Sequence, residues 1–290
     1  MNKDREFILT LSCADTKGIV YAVSGLLYQA GCNIIDSQQF GDEGTGLFFM
    51  RVHFEAPAHL AAQDKLAMLF ENVRAQFGMQ AQFHAVARKA RVMILVSKHG
   101  HCLNDLLYRH SSGQLPIEIA AVVSNHADLQ AMTHNYGVAF HHLPLANGAN
   151  EQDKRAQEQQ IEALIVREQI DLVVLARYMQ ILSPQLCAAL SGRAINIHHS
   201  FLPSFKGAKP YYQAHERGVK VIGATAHYVT AELDEGPIIE QEVERVDHTM
   251  SPEELTAVGR DVECVTLARA VRWHVEHRVL MNGHKTVVFK

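Results

Sequence analysis

Three short, largely apolar runs, Val92-Met93-Ile94-Leu95-Val96, Ile117 to Val123 and Leu172 to Leu175, constrain the fold more than any other feature of the chain. A strand that is apolar on both faces must be covered on both faces, as happens in parallel sheets flanked by helices. Helical stretches lie between the runs, notably the polar-faced Glu151 to Glu168. Strands alternating with helices predict an α/β fold with a doubly wound, mostly parallel sheet. Ser251-Pro252-Glu253-Glu254 adds an N-cap, a proline at the first helical position and a capping-box glutamate, which predict a long helix near the carboxy terminus.

The segment before these runs follows a different rhythm. From Glu6 to Ala14, Phe7, Leu9 and Leu11 alternate with Ile8, Thr10 and Ser12, the period of a strand. Asp15-Thr16-Lys17-Gly18 then signals a turn and a helix start, and Ile19, Val20, Val23, Leu26 and Leu27 recur at helical spacing until Gly31. Cys32 to Phe40 and Gly46 to Phe54 read as a hairpin around Gly41 to Thr45, Pro57 to Phe77 as a helix, and Met79 to Val86 as a fourth strand. The order is βαββαβ, a ferredoxin-like unit. With 290 residues available, the chain divides into a domain at 1–86, a basic junction at Ala87 to Ala90, and a larger domain at 91–290.

Composition narrows the partners. A net charge of -4 supplies no basic field for a phosphate backbone, so nucleic acid is not expected. Five cysteines without a CxxC pair fit reduced thiols and a cytoplasmic setting. No apolar run approaches the roughly 20 residues of a membrane span, and Met1 to Arg5 do not form a signal-peptide core.

Chemistry concentrates in two segments. If Ala194 to Ile197 finish a strand, Asn196 and His198 project from the same side of it. After a second strand around Ile222 to Val229, the loop Glu232-Leu233-Asp234-Glu235-Gly236-Pro237 offers Asp234 as a carboxylate partner for His198. An amide donor, an imidazole and a carboxylate suffice for acyl-group chemistry without a metal or a covalent nucleophile. The same residues are equally compatible with a strand-end turn, an interior histidine and a turn former before Gly236. Cys102 and the histidines lack a closed zinc-ligand spacing, so no metal or cofactor is expected.

Asn196-Ile197-His198, continuing through Ser200-Phe201-Leu202-Pro203-Ser204-Phe205-Lys206-Gly207, resembles the signature of the folate-dependent formyltransferase family. Gly223 to Asp234-Glu235-Gly236 resembles its second active-site segment, and Arg177-Tyr178-Met179-Gln180-Ile181-Leu182-Ser183 its pterin pocket. The resemblance runs from about Arg91 to the end. It implies catalytic roles for Asn196, His198 and Asp234, and a folate site formed by Met179, Gln180, Ile181, Leu182, His227, Tyr228 and Gly236. Met179 and Ile181 also fit ordinary core positions, which leaves the backbone of Gln180 and Leu182 as the pterin contacts.

Asp15-Thr16-Lys17-Gly18-Ile19 and Gly31-Cys32-Asn33-Ile34 resemble an ACT domain, a small amino-acid-sensing module. That resemblance implies an effector site at Asp15, Lys17, Gly18 and Asn33, an effector such as glycine or methionine, and a homo-oligomer. The simpler alternative is that Asp15 caps the following helix and Gly18 relieves crowding.

A transferase acting on a phosphorylated amine needs a phosphate cradle, which the resemblance to the family's glycinamide ribonucleotide enzymes implies to be a glycine-rich loop after the first strand of the larger domain. Here the loop is Ser97-Lys98-His99-Gly100-His101-Cys102-Leu103-Asn104-Asp105, where only Gly100 remains and His101 and Cys102 are bulky. With the acceptor side filled, water becomes the acceptor. An ACT-like unit joined to a formyltransferase-like domain, with His198-His199 in place of His-Pro, is similar to the family's deformylases, although the second histidine has no physical account. The implied reaction is hydrolysis of 10-formyltetrahydrofolate to formate and tetrahydrofolate, which supplies formate for purine synthesis and balances one-carbon folate pools. Glycinamide ribonucleotide formyltransfer and a non-catalytic folate or amino-acid sensor are the alternatives. Transfer to initiator tRNA is disfavoured by the lack of a basic carboxy-terminal domain.

Overall fold

The computed structural model describes residues 3–146, 148–202 and 210–290, so Pro203, Ser204, Phe205, Lys206 and Gly207 of the signature lie outside the described residues. The chain forms two compact units. One comprises Met1–Lys89, Glu276–Asn282 and Val287–Lys290, the other Ala90–Val275 and Gly283–Thr286.

In the first unit the order is β1 (Glu6–Ala14), α1 (Ile19–Gln29), β2 (Asn33–Asp42), β3 (Leu47–Glu55), α2 (Gln63–Phe77) and β4 (Gln80–Ala85). The four strands pair antiparallel in the order β2-β3-β1-β4, a βαββαβ arrangement. Alternation sends Phe7, Leu9, Leu11 and Cys13 of β1 and Phe48, Met50, Val52 and Phe54 of β3 into one core, where Ile19, Val23 and Leu27 of α1 and Leu66 and Phe70 of α2 meet them. The helix expected from Pro57 starts later. Ala58–Leu60 form a 3-10 turn, and Ala62 is extended at φ -152° before α2 begins.

The same alternation turns Phe49 and Arg51 to the opposite face of β3, and the final residues of the chain cover them. Phe49 packs with Val287 and Phe289, while Arg51 donates to the Glu276 carbonyl and to Asp36. The sequence reading assigns 91–290 to the larger domain, but Glu276–Asn282 and Val287–Lys290 belong to the first unit. A small sheet with helices on one face leaves its other face bare, and the tail supplies the missing layer.

The second unit contains β5 (Ala90–Val96), α3 (His101–Ser111), β6 (Ile117–Ser124), α4 (Gln130–Asn135), β7 (Phe140–His142), α5 (Glu151–Arg167), β8 (Leu172–Leu175), α6 (Pro184–Ala189), β9 (Ala194–His198), α7 (Pro210–Glu216), β10 (Val221–Tyr228), β11 (Ile238–Arg245) and α8 (Pro252–Val275). Its sheet runs β11-β10-β9-β8-β5-β6-β7. The five strands from β9 to β7 are parallel, and β10 and β11 continue antiparallel. Met93, Leu95, Val123 and Val173 pack against Ile161, Leu164 and Ile165, the apolar stripe of the otherwise polar α5. The capping box of α8 is reciprocal: Glu254 N donates to Ser251 Oγ at 3.2 Å, and Ser251 N to Glu254 Oε2 at 2.7 Å. A last hairpin, β12 (Val279–Asn282) and β13 (Lys285–Val288), leads into the tail.

Candidate active site

Open α/β sheets place ligands at the carboxyl ends of their strands, near the point where strand order reverses. Here β5 lies between β6 and β8, and the loop following β8 is fastened to that point. Ser97, just after β5, donates to Asn125 Oδ1 at 2.7 Å, accepts from Met179 N at 3.0 Å, and gives its own N–H to the Arg177 carbonyl at 3.2 Å. Arg177 is held in the left-handed region at φ 64°, a conformation an arginine adopts at a cost. Ser183 then caps α6 by accepting from Leu186 N, with Pro184 as its first residue.

The loop lines a cavity of about 350 Å³ together with β9 and the segment after β10. Met179, Gln180, Ile181, Leu182, Asn196, His198, His227 and Asp234 all border it. Met179 and Ile181 are 57% and 73% exposed, so they are not core residues. Tyr228 and Gly236 do not border the cavity, contrary to the sequence reading. The Tyr228 ring turns away, its hydroxyl 2.7 Å from His274 Nδ1. Gly236 acts by absence, because a Cβ there would sit 1.7 Å from the Tyr228 carbonyl oxygen.

Asn196 and His198 share a side of β9, as the strand period requires, and both face the cavity. His198 Nδ1 lies 3.2 Å from Asp234 Oδ1, while its buried Nε2 has no hydrogen-bond partner among the described residues. The hydrogen bond from His198 holds the Asp234 carboxyl below its usual range, so Asp234 is an anion. Asp234 also takes a left-handed backbone, φ 58°. Across the β9–β10 ladder, Asn196 stands opposite His227, and Asn196 Nδ2 lies 3.2 Å from His227 Nε2. Burial pushes the His227 imidazole below its ordinary pKa.

On the loop after β5, Gly100 is the N-cap of α3 and a Cβ there would meet Leu129 at 2.8 Å. His101 Nε2 reaches Glu263 Oε2 of α8 at 2.7 Å, so the place a phosphate cradle would need is spanned by a side-chain pair. Glu263 is 1% exposed and also receives Tyr211 Oη at 2.7 Å and Arg177 Nη1 at 3.2 Å. Burial opposes its charge, but His101 and Arg177 outweigh it and hold the carboxyl below its ordinary range. Tyr211 fits because residue 259 is glycine; a Cβ would lie 2.1 Å from its ring.

His101, Cys102 and Glu263 also bring three ligand atoms within 4.8 Å of one another. A hydrogen bond with Cys264, then burial, keeps the Cys102 thiol protonated, and Glu263 is already engaged with Arg177, so the donor set suits a hydrogen-bonded cluster better than a cation. His199 borders the same cavity, stacks on His198 at 5.1 Å between centroids, and is pushed down to about 4 by burial, Arg177 and His198. Tyr211 and Glu263 were not picked out from the sequence as site residues, while Arg177 entered only as the start of the segment resembling the pterin pocket and His199 only as a departure from His-Pro. An acidic residue on the buried stripe of α8, between Val262 and Thr266, was the readable sign.

In the first unit, Asp15, Lys17 and Gly18 lie on the exposed loop between β1 and α1, and Asn33 opens β2. Gly18 is the N-cap of α1 at φ 96°, with no side-chain cap, so Asp15 does not cap the helix. The Asp15 carboxylate instead lies over Gly41, where a Cβ would come within 2.8 Å of Oδ2. A cavity of this unit, about 600 Å³ between α2 and β4, is lined by none of these four residues.

Comparison with known proteins identifies the family. A formyl transferase family model matches residues 90–271. A formyltetrahydrofolate deformylase of Corynebacterium sp. (strain P-1) is 49% identical over 290 residues, all of both chains. That of Bacillus subtilis (strain 168) is 45% identical over 289 residues, 99% of this chain and 95% of the other. The crystal structure of the Burkholderia mallei formyltetrahydrofolate deformylase superposes with a TM-score of 0.92 at 51% identity, covering 99% of this chain and 100% of that one. A glycinamide ribonucleotide transformylase from Symbiobacterium toebii reaches a TM-score of 0.64 at 31% identity and covers 70% of this chain and 95% of its own. The transferase thus lacks a counterpart for much of the chain, whereas the hydrolases match it from end to end, and the chain belongs to the formyltetrahydrofolate deformylase family.

Proposed function

We propose that the chain hydrolyses 10-formyltetrahydrofolate to formate and tetrahydrofolate, with Asn196, His198 and Asp234 as the catalytic residues. The observation that carries this reading is the His198–Asp234 pair, in which His198 Nε2 has no hydrogen-bond partner among the described residues, on a cavity that Asn196 also lines. Asp234 accepts from His198 Nδ1–H, which leaves Nε2 with its lone pair. Nε2 takes a proton as water adds to the formyl carbon, and Asn196 Nδ2 donates to the oxyanion of the adduct. Collapse of the adduct breaks the carbon–nitrogen bond, and the His198 proton passes to the departing nitrogen. Formic acid then ionises, so one water is consumed and one proton released. No metal or other cofactor enters this scheme.

Met179, Ile181 and the Gln180 and Leu182 backbone suit the folate rings at the open side of the cavity. The His101–Glu263 pair disfavours a phosphorylated acceptor. Incubating the full chain with 10-formyltetrahydrofolate should release one formate per tetrahydrofolate, unchanged by glycinamide ribonucleotide. Formyl glycinamide ribonucleotide as the main product would overturn the reading.

The βαββαβ unit is read as an ACT domain that binds a free amino acid, with glycine and methionine tried first, near Asp15, Lys17, Gly18 and Asn33. The uncapped amides opening α1 suit a carboxylate, and Asp15 suits an ammonium group. A cytoplasmic homo-oligomer that supplies formate to purine synthesis completes the proposal. An amino-acid screen that changes neither rate nor thermal stability would remove the sensing role.

A further inference from the structure

The two nitrogens of His227 have unequal partners. Nδ1 lies 2.9 Å from the Tyr228 carbonyl oxygen, an atom that only accepts, so Nδ1 carries the proton. In the neutral ring Nε2 is then a bare acceptor. Its neighbour at 3.2 Å is Asn196 Nδ2, which must donate. This fixes which way the Asn196 amide points: one N–H goes to His227, and the second remains on the cavity wall.

The surroundings enforce this state. His227 is 3% exposed, and the nearest carboxylate oxygen, on Asp234, stands 3.8 Å from Nε2, beyond hydrogen-bond reach. The register between β10 and β11 shifts by one residue between Ala226 and His227, a bulge of the kind that re-aims a side chain beside a site. Gly236 completes the arrangement, since a Cβ there would collide with the Tyr228 carbonyl and come within 3.1 Å of His227 Nδ1.

We propose that His227 is a positioning residue that acts through Asn196: the Tyr228 carbonyl sets its tautomer, and the tautomer turns the Asn196 amide so that an N–H faces the reacting oxygen. The sequence reading placed His227 among the folate contacts; it does border the cavity, and in this reading it acts through the neighbouring Asn196. This inference rests on the hydrolytic reading of Asn196, and the test separates the two.

His227→Phe keeps a ring but removes the acceptor, and should lower kcat about ten- to a hundred-fold with KM changed less than about three-fold, because the loss falls on the transition state. Asn196→Ala should be slower still, and adding His227→Phe to it should cost less than about three-fold more. Effects that multiply in full, or a His227→Phe enzyme at the wild-type rate, would overturn the relay while leaving the hydrolase reading intact. Asn196→Ala at full rate would overturn both. Should His227→Phe fail to fold, 15N spectra of the histidine-labelled full chain decide the matter: a protonated Nδ1 and bare Nε2 on His227 support the relay, and the opposite tautomer ends it.

Discussion

The His198–Asp234 contact is where charge and strain meet: a buried imidazole, an anionic carboxylate and a left-handed Asp234 backbone. Asp234→Asn keeps the size but loses the charge that holds His198 Nδ1–H, so kcat should fall at least about a hundred-fold with the melting temperature little changed, as formate release and a thermal scan would show. Gly236→Ala should act differently, destabilising the loop after β10 and lowering thermal stability, since 1.7 Å from a carbonyl oxygen admits no side chain. At this scale the sequence was legible along a strand and illegible across strands. Period two places Asn196 and His198 together, but nothing in it reveals that residue 227 stands opposite 196, because that register is set by pairing and by the bulge. The pairing of Glu263 with Arg177 escaped for the same reason, since it joins α8 to the loop after β8.

Elements whose ends are fixed by local chemistry were the ones the sequence specified well. The α8 start is an instance, and Ser251→Ala should cost about 1 kcal/mol by removing the N-cap oxygen, measured by urea unfolding, with the rate of formate release unchanged. β1, β5 and β8 lie where apolar runs and alternation put them. Elements defined by contacts made elsewhere were harder: α4 and β7 are only six and three residues long, and α2 opens where Ala62 turns extended rather than at Pro57. The tail strand was invisible because Val287 and Phe289 carry too short a pattern to name their partner, Phe49. Phe289→Ala should therefore loosen the first unit by about 3 kcal/mol and speed amide hydrogen exchange in β3.

Over the whole molecule, two half-buried histidines contribute to the response to acid. His199 and, in the first unit, His84 are both pushed down to about 4, first by burial and then by neighbouring positive groups, Arg177 beside His199 and Arg51 beside His84. Because each folded value lies below the unfolded one near 6.5, the unfolded chain binds more protons between the two. The stability these rings contribute is complete above about pH 6.5 and lost as pH falls towards 4. Replacing His199 with Gln should flatten that dependence by about 1–3 kcal/mol in urea titrations at pH 7 and 4.5. The division of the chain has a consequence during synthesis as well. The first unit recruits Val287–Lys290, roughly two hundred residues beyond Lys89. At about 5–20 residues per second, β3 leaves the ribosome about 10–40 s before Phe289 exists to cover Phe49. A messenger truncated within the α/β sheet would therefore release an N-terminal unit with one face of its sheet uncovered, a substrate for chaperones and proteases rather than a free-standing module.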